Sequence, residues 1–218
     1  MAKVFPTFSL ERRLWKKGYY LVIGVDEVGR GALAGPVTAA AVVFSPKAIG
    51  KIKDLGINDS KKLTPRQREK LAAIIKGCCW YSAISSGSVS TINRLGITRS
   101  TQGAMRKAVV STQEEETENR KTFVLVDGRQ VKYIPGVGLK NQKNIYGGDR
   151  KSISIAAASI LAKVHRDNLM KKIAENHRYR KYGWGKNKGY GTKSHIKTIK
   201  RYGLTRLHRK QFVRKIFI

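Results

Sequence analysis

The first long apolar run, YYLVIGVDEV, is rich in β-branched and aromatic residues and reads as a buried strand. Ahead of it, LERRLWKKG has helical spacing, with Ser9 as the expected cap and Gly18 as the stop. After it, GRGALAGP is broken by glycines, and PVTAAAVVF reads as a second strand, hairpin-paired with the first. TPRQREKLAAIIKG carries a strong helix start: Thr64 as N-cap, Pro65 as first helical residue and Gln67 as return partner of a capping box. CWYSAISSGSVS reads as a third strand. STINRLGITRSTQGAMRKAVVST reads as helix with a break at Gly96, and QEEETENRK as an acidic surface loop. TFVLVDG is a short apolar strand ending at Asp127, and KNIYGGD a weaker one ending in glycines and Asp149. SISIAAASILAKVHRDNLMKKIAENH is a long helix whose Ala156, Ala157 and Ala158 permit close approach to a sheet. From about Arg178 the chain is basic, glycine-punctuated and partly helical.

Strands first, then helices alternating with strands, predict an α/β fold: a mixed sheet flanked by helices. The 218 residues suffice for one sizeable core, and no repeat or linker divides them. No run approaches the ~20 apolar residues of a membrane span, and the N-terminus lacks the apolar stretch of a signal peptide. Cys78 and Cys79 are adjacent, a geometry that strains a mutual disulfide, and are expected as small buried residues in a reducing cytoplasm.

Charge changes the picture. Against 14 Asp and Glu stand 45 Lys and Arg, a net charge of +31. A surplus of that size asks for a polyanionic partner, and nucleic acid answers it because each neutralised phosphate releases counterions. Charge alone says nothing of catalysis.

Where carboxylates are scarce, their placement is informative. Asp26 and Glu27 lie inside an apolar strand, Asp127 ends another, and Asp149 sits between a third and a helix. A buried carboxylate is costly unless paired or metal-bound, and two unit charges ~4 Å apart repel by about 4 kcal/mol at an effective dielectric near 20. Such a cluster at strand ends asks for cations, and oxygen ligands suit Mg²⁺ or Mn²⁺, two of which serve phosphodiester hydrolysis. Plainer readings exist: Asp127-Gly128 is a common turn pair, Asp149 suits a helix N-cap, and Glu27 suits an ion pair with Arg30. None of these explains Asp26 within LVIGVDEV.

Gly29-Arg30-Gly31 brackets an arginine with residues that permit close backbone approach, fit for pressing amides and guanidinium against a phosphate; a tight turn is the plainer alternative. Tyr190, among lysines and glycines in NKGYGTKSH, suits stacking on a base or sugar, or capping the core. His165, His177, His195 and His208 show no paired-ligand spacing and are expected on solvated helix positions.

The string GVDEVGRGALAGPVTAAAVVF resembles the signature of the ribonuclease HII family, and DSKKLT, LVDG, GGD followed by ISIAAASILAKVHRD, and NKGYGTKSH resemble its further motifs in order. The resemblance runs from about Leu10 to LHRKQF. It implies a ribonuclease H-like mixed five-stranded sheet flanked by helices, one catalytic domain over 1–218, with a helical C-terminal segment from about 191 to 218 packed on it. It implies metal-binding catalytic carboxylates at Asp26, Glu27, Asp127 and Asp149, Mg²⁺ or Mn²⁺ as cofactor, and two ions with substrate bound. Gly29, Arg30 and Gly31 match a loop that senses the 2′-hydroxyl at an RNA–DNA junction. Tyr190 matches a tyrosine stacked on the next deoxyribose, and Ser60 and Lys61 match a nucleic-acid-contacting loop. The implied task is hydrolysis of the RNA strand of RNA/DNA hybrids and incision 5′ of ribonucleotides embedded in duplex DNA, in the cytoplasm, by a monomer.

The chain departs from the family pattern in places. Ala32 stands where proline is expected, which loosens the loop, and Gly96 and Gly103 stand where better helix formers are usual. The tail QFVRKIFI hints at a weak sliding-clamp contact, but Arg214 holds a position that wants an aliphatic residue; a hydrophobic C-terminal anchor is the alternative. A non-catalytic nucleic-acid-binding protein explains the charge but not the strand-borne carboxylates. The sister ribonuclease HIII shares the GRG loop but carries an N-terminal substrate-binding domain, for which about twenty residues before the first strand leave no room. A transposase or resolvase of the same broad fold would not be expected to carry the GRG signature.

Overall fold

The computed structural model describes residues 5–52, 55–58, 60, 63–113 and 121–217. In chain order the elements are α1 (Ser9–Lys16), β1 (Leu21–Val28), β2 (Val37–Val43), α2 (Ile49–Ile52), α3 (Pro65–Cys78), β3 (Tyr81–Gly87), α4 (Val89–Gln113), β4 (Thr122–Asp127), β5 (Gln142–Ile145), α5 (Ile153–Glu175), α6 (His177–Arg180), α7 (Trp184–Asn187), α8 (Lys193–Tyr202) and α9 (Lys210–Val213). The strands form one mixed sheet in the order β3-β2-β1-β4-β5, antiparallel on the β3-β2-β1 side and parallel from β1 through β4 to β5.

Central strands covered on both faces need apolar residues at every position, and β1 is buried from Leu21 to Asp26. Alternation sorts the side chains. Ile23 and Val25 join Val124 and Val126 against α4, through Ala104, Met105 and Ala108. Val22 and Leu125 face Ile155 of α5. Each fully buried valine or isoleucine contributes about 2 kcal/mol. Gly24 shares the α5 face, and α5 crosses it so closely that a Cβ there would lie 2.2 Å from the Ser154 carbonyl carbon and 2.4 Å from the Ile155 nitrogen.

Local signals read from the sequence fall into place in part. Thr64 and Gln67 form the capping box at α3, and Gly96 interrupts α4 with φ 81. Ser9 does not cap α1. It is the first helical residue, Phe8 precedes it without a side-chain cap, and the Ser9 N–H donates to Thr7 Oγ1 at 3.3 Å. Nor does Asp149 cap α5: Ser152 does, accepting from the Ile155 N–H. Cys78 and Cys79 form no disulfide and are only partly buried at the end of α3, packed against the edge of the core. The acidic stretch 114–120 lies outside the described residues.

One fully buried carboxylate is used structurally. Glu11, fully buried on α1, accepts from Ser152 Oγ at 2.5 Å, Ser154 Oγ at 2.7 Å and the Ser154 N–H at 3.0 Å. A carboxylate at a helix N-terminus is favoured by the unpaired amides and the dipole there, so α1 anchors the start of α5. At the other end, Met170 of α5, Tyr179, Tyr182, Trp184, Ile199, Val213 and Ala34 form a separate small core. Through it the C-terminal helices dock on α5 and on the loop after β1. No described helix is long and apolar enough to cross a membrane.

Candidate active site

Parallel pairing decides which carboxylates meet. Val25 lies beside Val126, so the following residues, Asp26 and Asp127, stand on neighbouring strands, and alternation turns both toward the α5 face. β5 continues through Ile145 into a turn at Gly147, whose φ of 63 suits glycine, and on to the 3₁₀ turn Gly148–Arg150. The Gly148 N–H donates to Asp127 Oδ1 at 3.0 Å, tying the turn that carries Asp149 to the end of β4. A cleft of about 500 Å³ results, lined by Asp26, Glu27, Asp127 and Asp149 together with Gly29, Arg30, Gly31, Ser60, Lys163 and Tyr190. Lys61 lies outside the described residues.

The cleft is short of positive charge. Asp26 is buried and its carboxyl is pushed well above the ordinary range, first by burial, then by the charges of Glu27 and Asp127. Hydrogen bonds from Ser159 and from the Glu27 N–H, at 2.7 Å, oppose the shift without cancelling it. Glu27 is also raised, by burial first, with Arg30 at 3.4 Å pulling the other way. The ion pair expected as the plainer reading of Glu27 is therefore present, and it coexists with the cluster. In a chain of net charge +31, carboxyls held in this state are a donor set that fits a hard divalent cation. Among the described residues, no three His, Cys, Asp or Glu side chains stand in an arrangement that would hold an ion unaided. Asp26 accepts from the Glu27 amide, Asp127 from the Gly148 amide and Glu27 from Arg30, through one oxygen each. Ser60 is buried; its hydroxyl meets that of Ser159 at 2.9 Å and so supports the bond to Asp26.

The glycine loop is braced from behind by two fully buried arginines. Arg166 of α5 donates to the carbonyls of Pro36 and Ala34 at 3.0 and 3.3 Å, and Arg209 to those of Gly35 and Arg30 at 2.9 and 2.7 Å. At Gly29, φ 90, a Cβ would fall 2.1 Å from Arg166 Nε, whereas one at Gly31 would meet nothing within 4 Å. Close packing thus demands the first glycine, and open space lies over the second. The Ala32 N–H donates to the Gly29 carbonyl at 3.3 Å, a bond that the proline expected at that position could not make. Ala32 thus adds a bond across the loop.

Tyr190 is half-buried against the same framework. The Arg166 guanidinium carbon lies 5.3 Å and Lys163 Nζ 5.8 Å from its ring centroid. The preceding Gly189 accepts from the Leu33 and Ala34 amides, and a Cβ there would lie 2.3 Å from the Ala34 carbonyl oxygen. Two histidines support this segment, contrary to their expected solvation: His195 and His208 are buried beside Trp184. His195 Nδ1 donates to the Tyr190 carbonyl at 2.8 Å, so its Nε2 is bare and accepts from Trp184 Nε1 at 2.9 Å. His208 accepts at Nδ1 from the Thr205 N–H and meets His195 Nε2 at 3.3 Å. Burial, then His195, pushes His208 down to about 4. Asp167 faces away from the cleft, paired with Lys163 at 2.8 Å and Arg68 at 3.8 Å instead of its neighbour Arg166. Sequence reasoning missed Arg166, Arg209, His195 and His208. No local signal marks them, because their nearness to the GRG and NKGYG segments arises only in the folded chain.

A mixed five-stranded sheet with acidic side chains gathered at the ends of its central strands is the architecture of the ribonuclease H-type nucleases, and this chain is one of them. The family model of ribonuclease HII matches residues 23–218, and the chain belongs to that family. Ribonuclease HII of Synechocystis sp. is 46% identical over 193 residues, 88% of this chain and 96% of its own. That of Caldicellulosiruptor bescii is 45% identical over 210 residues, 96% of this chain and 94% of its own. Among solved structures, ribonuclease H2 of Pyrococcus horikoshii superposes with a TM-score of 0.67 at 25% identity, covering 90% of this chain and 96% of its own. A Bst ribonuclease HIII in complex with Mn²⁺ gives 0.73 at 21%, covering 92% and 70%. The ribonuclease HII of Archaeoglobus fulgidus, solved in complex with PCNA, gives 0.69 at 22%, covering 87% and 93%. The last two are likenesses of fold.

Proposed function

We propose that the chain hydrolyses the RNA strand of RNA/DNA hybrids and incises 5′ of ribonucleotides embedded in duplex DNA, leaving a 3′-hydroxyl and a 5′-phosphate. The observation that carries this reading is the cleft itself, in which Asp26, Glu27, Asp127 and Asp149 share one wall system with Gly29, Arg30, Gly31 and Tyr190. The four carboxylates would hold Mg²⁺ or Mn²⁺, two ions with substrate present. Such ions, when bound, supply Lewis acidity at a phosphodiester and a more acidic attacking water.

The remaining work falls to the chain. Backbone groups of Gly29, Arg30 and Gly31 read the 2′-hydroxyl, which both donates and accepts hydrogen bonds; the clamp of Arg166 and Arg209 fixes those groups in advance. The Tyr190 ring lies against the next sugar, where a hydroxyl would obstruct it. Ser60 holds Asp26 through Ser159, and Lys61 contacts the nucleic-acid backbone. The chain acts as one catalytic domain, with residues from about 191 packed on it, and as a cytoplasmic monomer. A sliding clamp is a weak partner at best through QFVRKIFI: Val213 is buried in the C-terminal core, and Phe217 is the exposed aromatic left to offer.

The test uses a labelled DNA duplex with one ribonucleotide, cut with Mg²⁺ and protected by EDTA. Asp127→Asn is expected to abolish cleavage while binding persists, because the basic surface is untouched. Failure of the wild type on the lone-ribonucleotide duplex, or full activity of Asp127→Asn, refutes the reading.

A further inference from the structure

A second groove, about 800 Å³ and larger than the carboxylate cleft, opens on the α4 face of the sheet. Arg99, Arg106, Lys107, Arg129 and Lys132 line it with Tyr133, and among the described residues no Asp or Glu does. It shares the sheet edge of the cleft. Val28 of the cleft pairs with Thr38, and Thr38 with Ser86 of the groove, a separation of two strand spacings, ~10 Å. Arg129 follows Asp127 by two residues, so one loop reaches from one depression to the other.

That loop is built. Val131 is buried and exchanges both backbone bonds with the Gln142 side chain, at 3.0 and 2.9 Å. Arg106 reaches from α4 to the Lys132 carbonyl with two N–H groups at 3.0 and 2.8 Å. Tyr133 holds a left-handed backbone, φ 60, unusual for an aromatic residue, and the residue is 83% exposed with Arg106 5.9 Å from the ring centroid. An unfavourable backbone at an outward-facing aromatic points to use of that ring.

Gly103 adds a separate observation. It lies inside α4, its φ is not positive, and a Cβ there would meet nothing within 4 Å. Helix stability and packing would both favour a larger residue. What glycine does preserve is the width of the groove it lines.

We infer that this groove binds the sugar–phosphate backbone of duplex flanking the cut, about three base-pair rises from the cleft. Exposed cations supply the phosphate contacts and the Tyr133 ring a sugar contact. The inference rests on the proposed nuclease function and adds a second contact to it.

Binding of a fluorescent DNA duplex with one embedded ribonucleotide, measured in EDTA across a salt series, tests it. Arg99→Gln with Lys107→Gln changes two exposed residues. Each phosphate contact contributes about 0.9 to the slope of log K against log salt, so the double variant is expected to be shallower by about 2. The loss should vanish on a duplex trimmed on one side to within about three base pairs of the ribonucleotide, trimming each side in turn. Gly103→Met, which fills the groove without changing charge, should raise Tm and weaken binding to the long duplex only. Unchanged slope and affinity in both variants, with the wild type still cleaving the lone-ribonucleotide duplex in Mg²⁺, overturn the groove alone. A wild type that neither binds nor cleaves overturns the nuclease reading and the groove together.

Discussion

Replacing Gly24 with alanine tests how the fold positions the cleft. The added Cβ would sit 2.2 Å from the Ser154 carbonyl carbon and 2.4 Å from the Ile155 nitrogen, where non-bonded carbons prefer about 3.5 Å or more. Both neighbours are backbone, so no rotamer relieves the clash, and α5 must part from β1 by about 1.3 Å at this crossing. Overpacking of this kind costs about 3 kcal/mol. The displaced helix carries Ser159 and Lys163, and its start follows Asp149, while Asp26 lies two residues from Gly24 on the same face. A shift of ~1 Å between parts of a catalytic site lowers turnover by roughly a hundredfold. Urea denaturation should show the stability loss, and gel kinetics on a lone-ribonucleotide duplex should show kcat falling with KM little changed, since the basic surface stays. Gly77→Ala at an exposed position of α3, where a Cβ meets nothing within 4 Å, is the control and should be neutral or stabilised by up to about 1 kcal/mol. A Gly24→Ala protein as stable and as fast as wild type would refute the argument.

Asp149→Asn should lower kcat by several orders of magnitude with little change in stability, whereas Asp167→Asn, which loses partners in Lys163 and Arg68, should cost about 1–2 kcal/mol and leave kcat nearly intact; the reverse pattern in paired urea and cleavage assays would exchange their roles. Tyr190→Ala should lose more activity on a lone ribonucleotide than on continuous RNA, and equal loss on gels of both substrates would remove Tyr190 from junction reading. His208, held down to about 4 in the folded protein, takes up a proton more readily when unfolded, so the stability from this group is complete above pH ~6.5 and falls as the pH drops toward 4, by about 3 kcal/mol. Asp26 and Glu27, whose folded carboxyls are raised, contribute with the opposite sign in wild type and His208→Asn alike, so the difference between the two proteins isolates the histidine; equal pH slopes of urea midpoint would refute it.

Local order in this protein was legible without a structure. The capping box of Thr64 and Gln67, the break at Gly96 and the two-sided burial of β1 all depend on residues within a few positions of one another, and each is realised. The presence of Asp26 in an apolar strand likewise marked the cleft, because an ionisable group in such a run is costly whatever surrounds it. Where a carboxylate points, however, is a matter of register. Asp127 came beside Asp26 because Val25 pairs with Val126, and Asp149 was released from capping because Ser152 serves α5. Composition foretold neither. It equally failed to separate Glu11, buried in a serine-lined anchor, from the acidic residues of the cleft.

The largest gap concerns polar residues buried far from their partners in sequence. Arg166 bonds Pro36 across 130 residues and Arg209 bonds Arg30 across 179, and in the sequence each is one basic residue among 45. His195 and His208 had the same ordinary context, yet they close a network with Trp184 beneath Tyr190. Sequence by itself determined the five strands and the long helices before about Arg178, and that acidic groups stand in apolar surroundings, since backbone preference and desolvation act locally. Only the tertiary structure decided which of those groups share a cleft and which cations stand behind it, because a buried polar side chain is stabilised by partners that the folding of distant segments brings within hydrogen-bonding distance.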